Sequence, residues 1–403
     1  MKRSFLDFIF RLVNKYSFVC VSILLSQIAQ GEIFHERVIW TTDPDQKAVI
    51  SWSSDIKGQK SSVKYGLAPD KLSEVQRADL DGRFDDSEDD PVYYHHVQLE
   101  GLEPGTWYWF QVITDNQVSS VWKFLTAPKN GASDYRLIFG GDSRSDHNQR
   151  ELMNRVMAKA VQKHPDILAL VFGGDFIESG DNFDQWYWWL TDFTKTRVDD
   201  RILPIVPIRG NHEGNDVLFD QVWNWPGADG NYFTTEIGSV AIVNLNTNIS
   251  HYGDQRNWLE SELKRLTQTH PIIFANYHRP AFPAVKSPGS ARKAWVPLFE
   301  DYQLDLVFES DGHVYKKTAP IYREKIDEAR GIVYVGEGGL GVRMRTPKDH
   351  WYFGGSGFAS SDYHFQMVTI EKGGFVYEAI DDQFISFGKM RRPVQAGRQS
   401  LLK

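Results

Sequence analysis

Four times in this chain an apolar run ends in a small turn that carries a metal-type ligand. Leu137-Ile-Phe139 runs into Gly140-Gly-Asp142, and Ile167-Leu-Ala-Leu-Val-Phe172 runs into Gly173-Gly-Asp175. Ile205-Val-Pro-Ile208 leads to Arg209-Gly-Asn211-His-Glu213, and Leu306-Val-Phe308 leads to Asp311-Gly-His313. Open α/β sheets gather their ligands at the carboxyl edges of parallel strands. The four turns therefore predict one polar site there, opened by Asp142. Taken singly, a Gly-Asp after a strand is more often a turn or a helix cap. The succession of all four carries the inference.

The rest of the chain supplies a frame for that site. Its 403 residues suit two domains. Residues 32–128 read as short alternating strands with turn signals between them, which predicts a β-sandwich. Residues 129–390 switch to strand–loop–helix patterns, predicting an α/β domain of two sheets flanked by helices. The fold class is thus multidomain, and residues 391–403 read as a basic disordered tail. Trp186, Tyr187, Trp188 and Trp189 suggest a short aromatic helix, by default core packing, with a rim that stacks a base or sugar as the functional option. The acidic stretch 79–90 lacks the alternating ligand order of a calcium loop and reads as a solvated loop.

Residues 1–31 differ in kind. Lys2, Arg3, Arg11 and Lys15 precede the apolar run Phe18–Leu25, and Ala29-Gln-Gly31 follows as a small-x-small cleavage site. Together these predict a secretory signal, hence export to the periplasm or outside the cell, with an uncleaved N-terminal anchor as the alternative. The only cysteine, Cys20, lies inside that run, so the mature chain is expected to carry no disulfide. A formal charge of −8 argues against a general attraction to nucleic-acid phosphates.

The segment His95–Phe110 (His-His-Val-Gln-Leu-Glu-Gly-Leu-Glu-Pro-Gly-Thr-Trp-Tyr-Trp-Phe), closing at Phe124-Leu-Thr-Ala-Pro128, resembles the fibronectin-type-III-like N-terminal domain of purple acid phosphatases. The series Asp142, Asp175, Asn211-His-Glu213, His278 and His313 resembles that of the calcineurin-like metallophosphoesterases. Asn276-Tyr-His278, Gly312-His-Val314 and Val333–Gly339 are similar to the purple acid phosphatase branch in particular. The resemblance implies a dinuclear centre holding two divalent or trivalent ions, iron with zinc or manganese, and a metal-held hydroxide as nucleophile. It implies that Asp175 bridges, that Asp142 serves metal 1, and that Asn211, His278 and His313 serve metal 2. His212 would contact the phosphate or protonate the leaving oxygen, with Glu213 supporting it or a ligand. The implied partner is a small-molecule phosphate ester and the implied reaction is monoester hydrolysis. Phosphodiester or nucleotide cleavage on the same centre is one alternative; a catalytically degenerate binding module is the other.

Three positions depart from the family's pattern. Asp142-Ser-Arg144 stands where Asp-x-Gly is expected; Arg144 is permanently protonated and cannot ligate a metal, but it can clamp a phosphate or pair with Asp146. Glu178 occupies the place of the family's Tyr, three residues after the bridging Asp. Gly312-His-Val-Tyr315 stands for Gly-His-x-His. The expectation is therefore that Glu178 and Tyr315 supply oxygen ligands to metal 1. Arg279, Lys316 and Arg343 are further candidates for meeting an anionic substrate.

Overall fold

The computed structural model describes residues 31–87, 90–224 and 231–401. The expected signal, with Cys20, lies outside these residues except for Gly31. The front unit is a sandwich. Strands Leu80–Arg83, Tyr93–Leu99, Ala48–Ser54 and Ile33–Ile39 form one layer; Glu74–Arg77, Ser61–Gly66 and Trp107–Thr114, with Gln117–Val118 and Trp122–Leu125, form the other. Trp107–Thr114 alternates strictly between half-buried and buried side chains, the period of two of a pleated strand. Tyr108, Phe110 and Val112 therefore enter a core with Trp40, Ile50, Trp52, Val63 and Phe124.

The boundary between the two units does not divide the sheets. Ile33–Ile39 pairs in parallel with Ile205–Pro207, Ile39 opposite Ile205, so one sheet of ten strands runs from the sandwich into the α/β unit. Arg37 helps to fasten this junction. Its guanidinium is buried and donates to Val222 O at 2.7 and 3.1 Å and to His35 O at 2.9 Å. Val222 lies in the last turn of the Val217–Trp223 helix, where the helix dipole favours a cation.

Within the α/β unit, Tyr135–Gly140, Ile167–Phe172 and Ile205–Pro207 run parallel in the ten-stranded sheet. Val240–Asn244, Ile272–Asn276, Leu306–Glu309 and Val333–Gly336 run parallel in a second sheet of seven strands. Phe139 from the first sheet stacks on Phe308 from the second, so the two sheets share one core. The His147–Lys163 helix starts where Asp146 accepts from Gln149 N, and buries Met153, Val156, Met157, Ala160 and Val161 as one apolar stripe. With a sheet on each side, the ligand turns converge where the strands of both sheets end.

The C-terminal residues correct the expectation of a disordered tail. Ser386–Pro393 is a strand on Gly374–Asp381, and residues 396–401 form a short 3-10 helix. Arg398 is buried: its Nη2 donates to Asp305 Oδ2 at 2.7 Å and to Gln303 O at 2.9 Å. Burial raises the Asp305 carboxyl to about 6 against the pull of Arg398. With a folded pKa above the unfolded one, the folded state gains from the bound proton at low pH and loses that stability as pH rises through about 6. Removing Arg398 makes the ionised carboxylate costlier still. Arg398→Ala is thus expected to cost about 3 kcal/mol at pH 8 and clearly less at pH 5, read by urea unfolding at both values.

Candidate metal centre

Asp142 and Asp175 each follow a Gly-Gly pair and take positive φ, 56° and 58°, which turns the chain sharply as each strand ends. Both carboxylates are fully buried. Glycine is required beside them. A Cβ at Gly338 would overlap Asp142 Oδ2, and one at Gly210 would overlap Asp175 Oδ1. Asp142 Oδ2 accepts from Asp311 N at 2.8 Å, which joins the first ligand turn to the fourth. Glu213, buried behind the site, joins the second to the third: its two oxygens accept from Asp175, Phe176, Ile177 and Gly210 N at 2.7–3.3 Å. It supports the loops through these backbone N–H groups. Burial, with repulsion from Asp175, raises the Glu213 carboxyl to about 7.

Two ligand groups result, and they share Asp175. In one, Asp142, Asp175 and His313 offer ligand atoms within 4.8 Å of one another. In the other, Asp175, His278 and Asp311 do the same. Asn211 joins the second group, its side-chain amide 3.2 Å from His278 Nε2 and 3.0 Å from Asp311 Oδ1. His278 Nδ1 faces Gly173 O at 2.8 Å, which turns Nε2 toward Asp175 Oδ1 at 3.1 Å. Burial works against a charged His278 ring, but Asp175, Asp311 and Asp142 outweigh it and raise its proton affinity well above the ordinary value. A field that holds a proton there also favours a metal cation.

The donor set fits such cations on a further count. Asp142 Oδ1, Asp175 Oδ2 and His313 Nε2 are buried and make no hydrogen bond. Native structures rarely leave buried polar atoms so, and here the three face one another.

This arrangement corrects the reading of the fourth turn. His313 does not stand with Asn211 and His278; its Nε2 lies 3.3 Å from Asp142 Oδ1, in the first ligand group. Asp311, which sequence reasoning left without a role, takes that place in the second group, 3.6 Å from His278 Nε2 and ion-paired with Lys286. The pair matching His-x-His is thus Asp311-Gly-His313. Tyr315 is no candidate ligand: its ring is buried among Phe358, His364 and Phe387, with its hydroxyl turned toward Gly388. Glu178 is spent otherwise as well. Its carboxylate pairs with Arg144, and its carbonyl faces His212 Nδ1 at 2.7 Å, aiming His212 Nε2 into the site at 3.8 Å from Asp175 Oδ2.

Arg144 reaches the centre itself, with Nε 3.4 Å from Asp175 Oδ2. Its partners are Asp175 and Glu178, whereas Asp146 is committed to its helix cap. Arg279 is exposed beside His278 and lies outside both ligand groups. Lys316 meets no substrate: it is buried against Glu309.

Residues 112–315 match the calcineurin-like phosphoesterase family, over half of the chain. The chain belongs to that family. Residues 34–127 match the purple acid phosphatase N-terminal domain. Acid phosphatase type 7 of Mus musculus is 25% identical over 417 residues, covering 88% of each chain. Purple acid phosphatase 13 of Arabidopsis thaliana is 24% identical over 305 residues, with 61% of this chain and 54% of the plant protein covered. The fold is that of purple acid phosphatase PPD1 from yellow lupin seeds, at a TM-score of 0.79 and 15% identity over 92% of this chain and 76% of that one. The structure of PhoD superposes at 0.63 with 12% identity, covering 90% and 92%. By family the phosphoesterase is a phosphoric ester hydrolase with candidate metal-binding groups. Among the described residues no helix is long and apolar enough to cross a membrane.

Proposed function

We propose that this phosphoesterase hydrolyses small phosphate monoesters at a dinuclear centre, with iron and either zinc or manganese as its ions. Asp142, Asp175 and His313 would hold one ion; Asp175, Asn211, His278 and Asp311 would hold the other. The observation that carries the reading is the sharing of Asp175 by two ligand groups, one of them lined by three buried atoms without hydrogen bonds. Two such ions, when bound, would supply an acidified water and neutralise charge on the phosphoryl group.

The chain's own residues do the rest. His212, held at Nδ1 by the Glu178 carbonyl, presents Nε2 to the leaving oxygen as a proton donor. Arg144 presents a planar fork at the edge of Asp175, the geometry that recognises phosphate oxygens. Glu213 keeps both Asp-bearing and Asn-bearing loops in register. Replacing the family's His by Asp311 adds a carboxylate to the second group, which favours harder ions there. Residues 1–31 are read as an export signal, checked by N-terminal sequencing of the exported product.

Elemental analysis of the purified protein, with phosphate release from a monoester and a diester before and after chelation, tests the proposal. The expected result is close to two metal ions per chain, chelator-sensitive turnover, and a higher kcat/KM for the monoester. Higher kcat/KM on the diester would move the reading to a phosphodiesterase. No turnover after reconstitution with iron, zinc, manganese or calcium would leave a binding module.

A further inference from the structure

The Phe183–Phe193 helix carries three tryptophans, and they do not share a fate. Trp186 and Trp189 are buried against Phe176, Phe219 and Trp223. Trp188 points the other way and is 56% exposed. Exposing an indole forgoes about 25 cal/mol for each Å² left in water, so a large exposed aromatic beside a reactive centre asks for a partner.

Trp188 lines an open cavity of about 390 Å³ together with Arg144, Ser145, His147, Arg150 and Gln185. The cavity adjoins the ligand cluster through Arg144, whose Nε is 3.4 Å from Asp175 Oδ2. Gln185 fixes the wall between them, because its Oε1 accepts from Glu178 N at 2.9 Å and Ser179 N at 3.0 Å. Two further polar groups of the lining, Arg150 and His147 Nδ1, are already committed. Arg150 donates to Asp192 at 2.7 Å and to Ser143 O at 2.9 Å, and His147 Nδ1 sits 2.7 Å from Asp192. The same guanidinium argues against reading His147, Glu151 and Asp192 as a third metal site, since it neutralises Asp192. What the cavity offers a ligand is the aromatic face of Trp188 and the exposed Ser145, with the Arg144 guanidinium, held by Glu178 and Asp175, at one end.

We propose that this cavity receives the leaving group of the phosphate ester, and that Trp188 selects esters whose leaving group is planar and aromatic, an aryl or nucleobase-bearing group, by stacking on it. The proposal rests on the phosphoryl group sitting at the Asp175 centre beside Arg144. Trp188 is a specificity-determining residue in this scheme: it touches the departing part of the substrate and leaves the ligand groups alone. Stacking tolerates any π face, so the class is aromatic planarity and not one base.

Two phosphonates separate the proposal from the reading beneath it. Benzylphosphonate and ethylphosphonate place a CH₂ where the ester oxygen would be, so neither is hydrolysed, and they differ in the ring. Calorimetric titration of the full, metal-reconstituted chain is expected to show benzylphosphonate binding about tenfold tighter, the size of one aromatic stacking contact. In Trp188→Ala the benzyl-to-ethyl ratio falls to about one; in Trp188→Phe it stays well above one. The ratio of kcat/KM for phenyl phosphate over methyl phosphate, the esters these two phosphonates mimic, follows the same order. A ratio near one in the unaltered chain, or one that survives Trp188→Ala, overturns the stacking proposal while ethylphosphonate binding keeps the centre intact. Failure of both phosphonates to bind overturns the centre, and the stacking proposal with it.

Discussion

Asp175→Ala is expected to lower kcat/KM by on the order of 10⁴-fold and to reduce the metal content of the purified protein below one ion per chain. No other single side chain belongs to both ligand groups. Its Oδ1 faces His278 Nε2 and accepts from His212 N, both at 3.1 Å, while its Oδ2 faces Arg144 and His212. Removing it leaves each side with too few ligands and sets Arg144 and His278 beside no shared counter-charge. The fold should survive, because Glu213 grips the loop through backbone N–H groups that alanine retains. Asp142→Ala makes the contrast, since it strips one group and leaves Asp175, Asn211, His278 and Asp311 together. Metal content near one ion is expected there. Equal metal loss in the two variants, or turnover surviving in Asp175→Ala, would contradict the shared-ligand geometry.

The turns bearing Asp142, Asp175 and Asn211 were legible because each terminates a buried strand, and strand ends announce themselves by an apolar run followed by a small or polar residue; His278 was named only through the resemblance. The fourth turn was misread by its most conspicuous pair. Gly312-His313 looks like the start of Gly-His-x-His, which moved the second ligand on to Tyr315. The folded turn uses Asp311 and His313, both at positive φ of 73° and 59°, and the approach of His313 Nε2 to Asp142 at 3.3 Å and of Asp311 Oδ1 to His278 at 3.6 Å shows which residue faces which side. A carboxylate two residues before His313 was the available signal; it was hidden because Asp in a turn has an ordinary structural explanation.

Long-range pairing explains the other differences. Nothing local marks Ile39 as the neighbour of Ile205, so the sandwich and the α/β unit read as separate sheets although they share one. Arg398 looked like part of a solvated basic run because its carboxylate, Asp305, is 93 residues away in sequence. Charge in a sequence is solvated by default. The exceptions here are the cations and acids that meet inside.

Lys316→Met should be the most destabilising conservative change in the α/β unit, costing about 3–5 kcal/mol near neutral pH. Lys316 and Glu309 both have side chains with 0% exposure, and they are ion-paired. Lys316 Nζ also donates to Phe282 O at 2.6 Å, and Glu337 Oε1 lies 3.8 Å away. Glu309 in turn accepts from Tyr277 OH at 2.5 Å and Ala281 N at 2.6 Å. Methionine fills the same volume but leaves Glu309 charged and short of its cation, and an uncompensated buried charge is what costs. Glu337 does not share that fate equally: burial lifts its carboxyl to about 8, so it is largely protonated at neutral pH. The deficit therefore belongs to Glu309, and the double variant Glu309→Gln with Lys316→Met should recover a substantial part of it. Urea unfolding of the two single variants and the double closes that cycle. A purely additive double would show that the pair is not coupled. The network also sits directly under the closing turn, where Glu337 O accepts from His313 N at 2.7 Å and Glu309 ends the strand that leads to Asp311. Loss of Lys316 is thus expected to loosen metal binding through Asp311 and His313 before the chain unfolds, visible as metal release at urea concentrations below the unfolding midpoint.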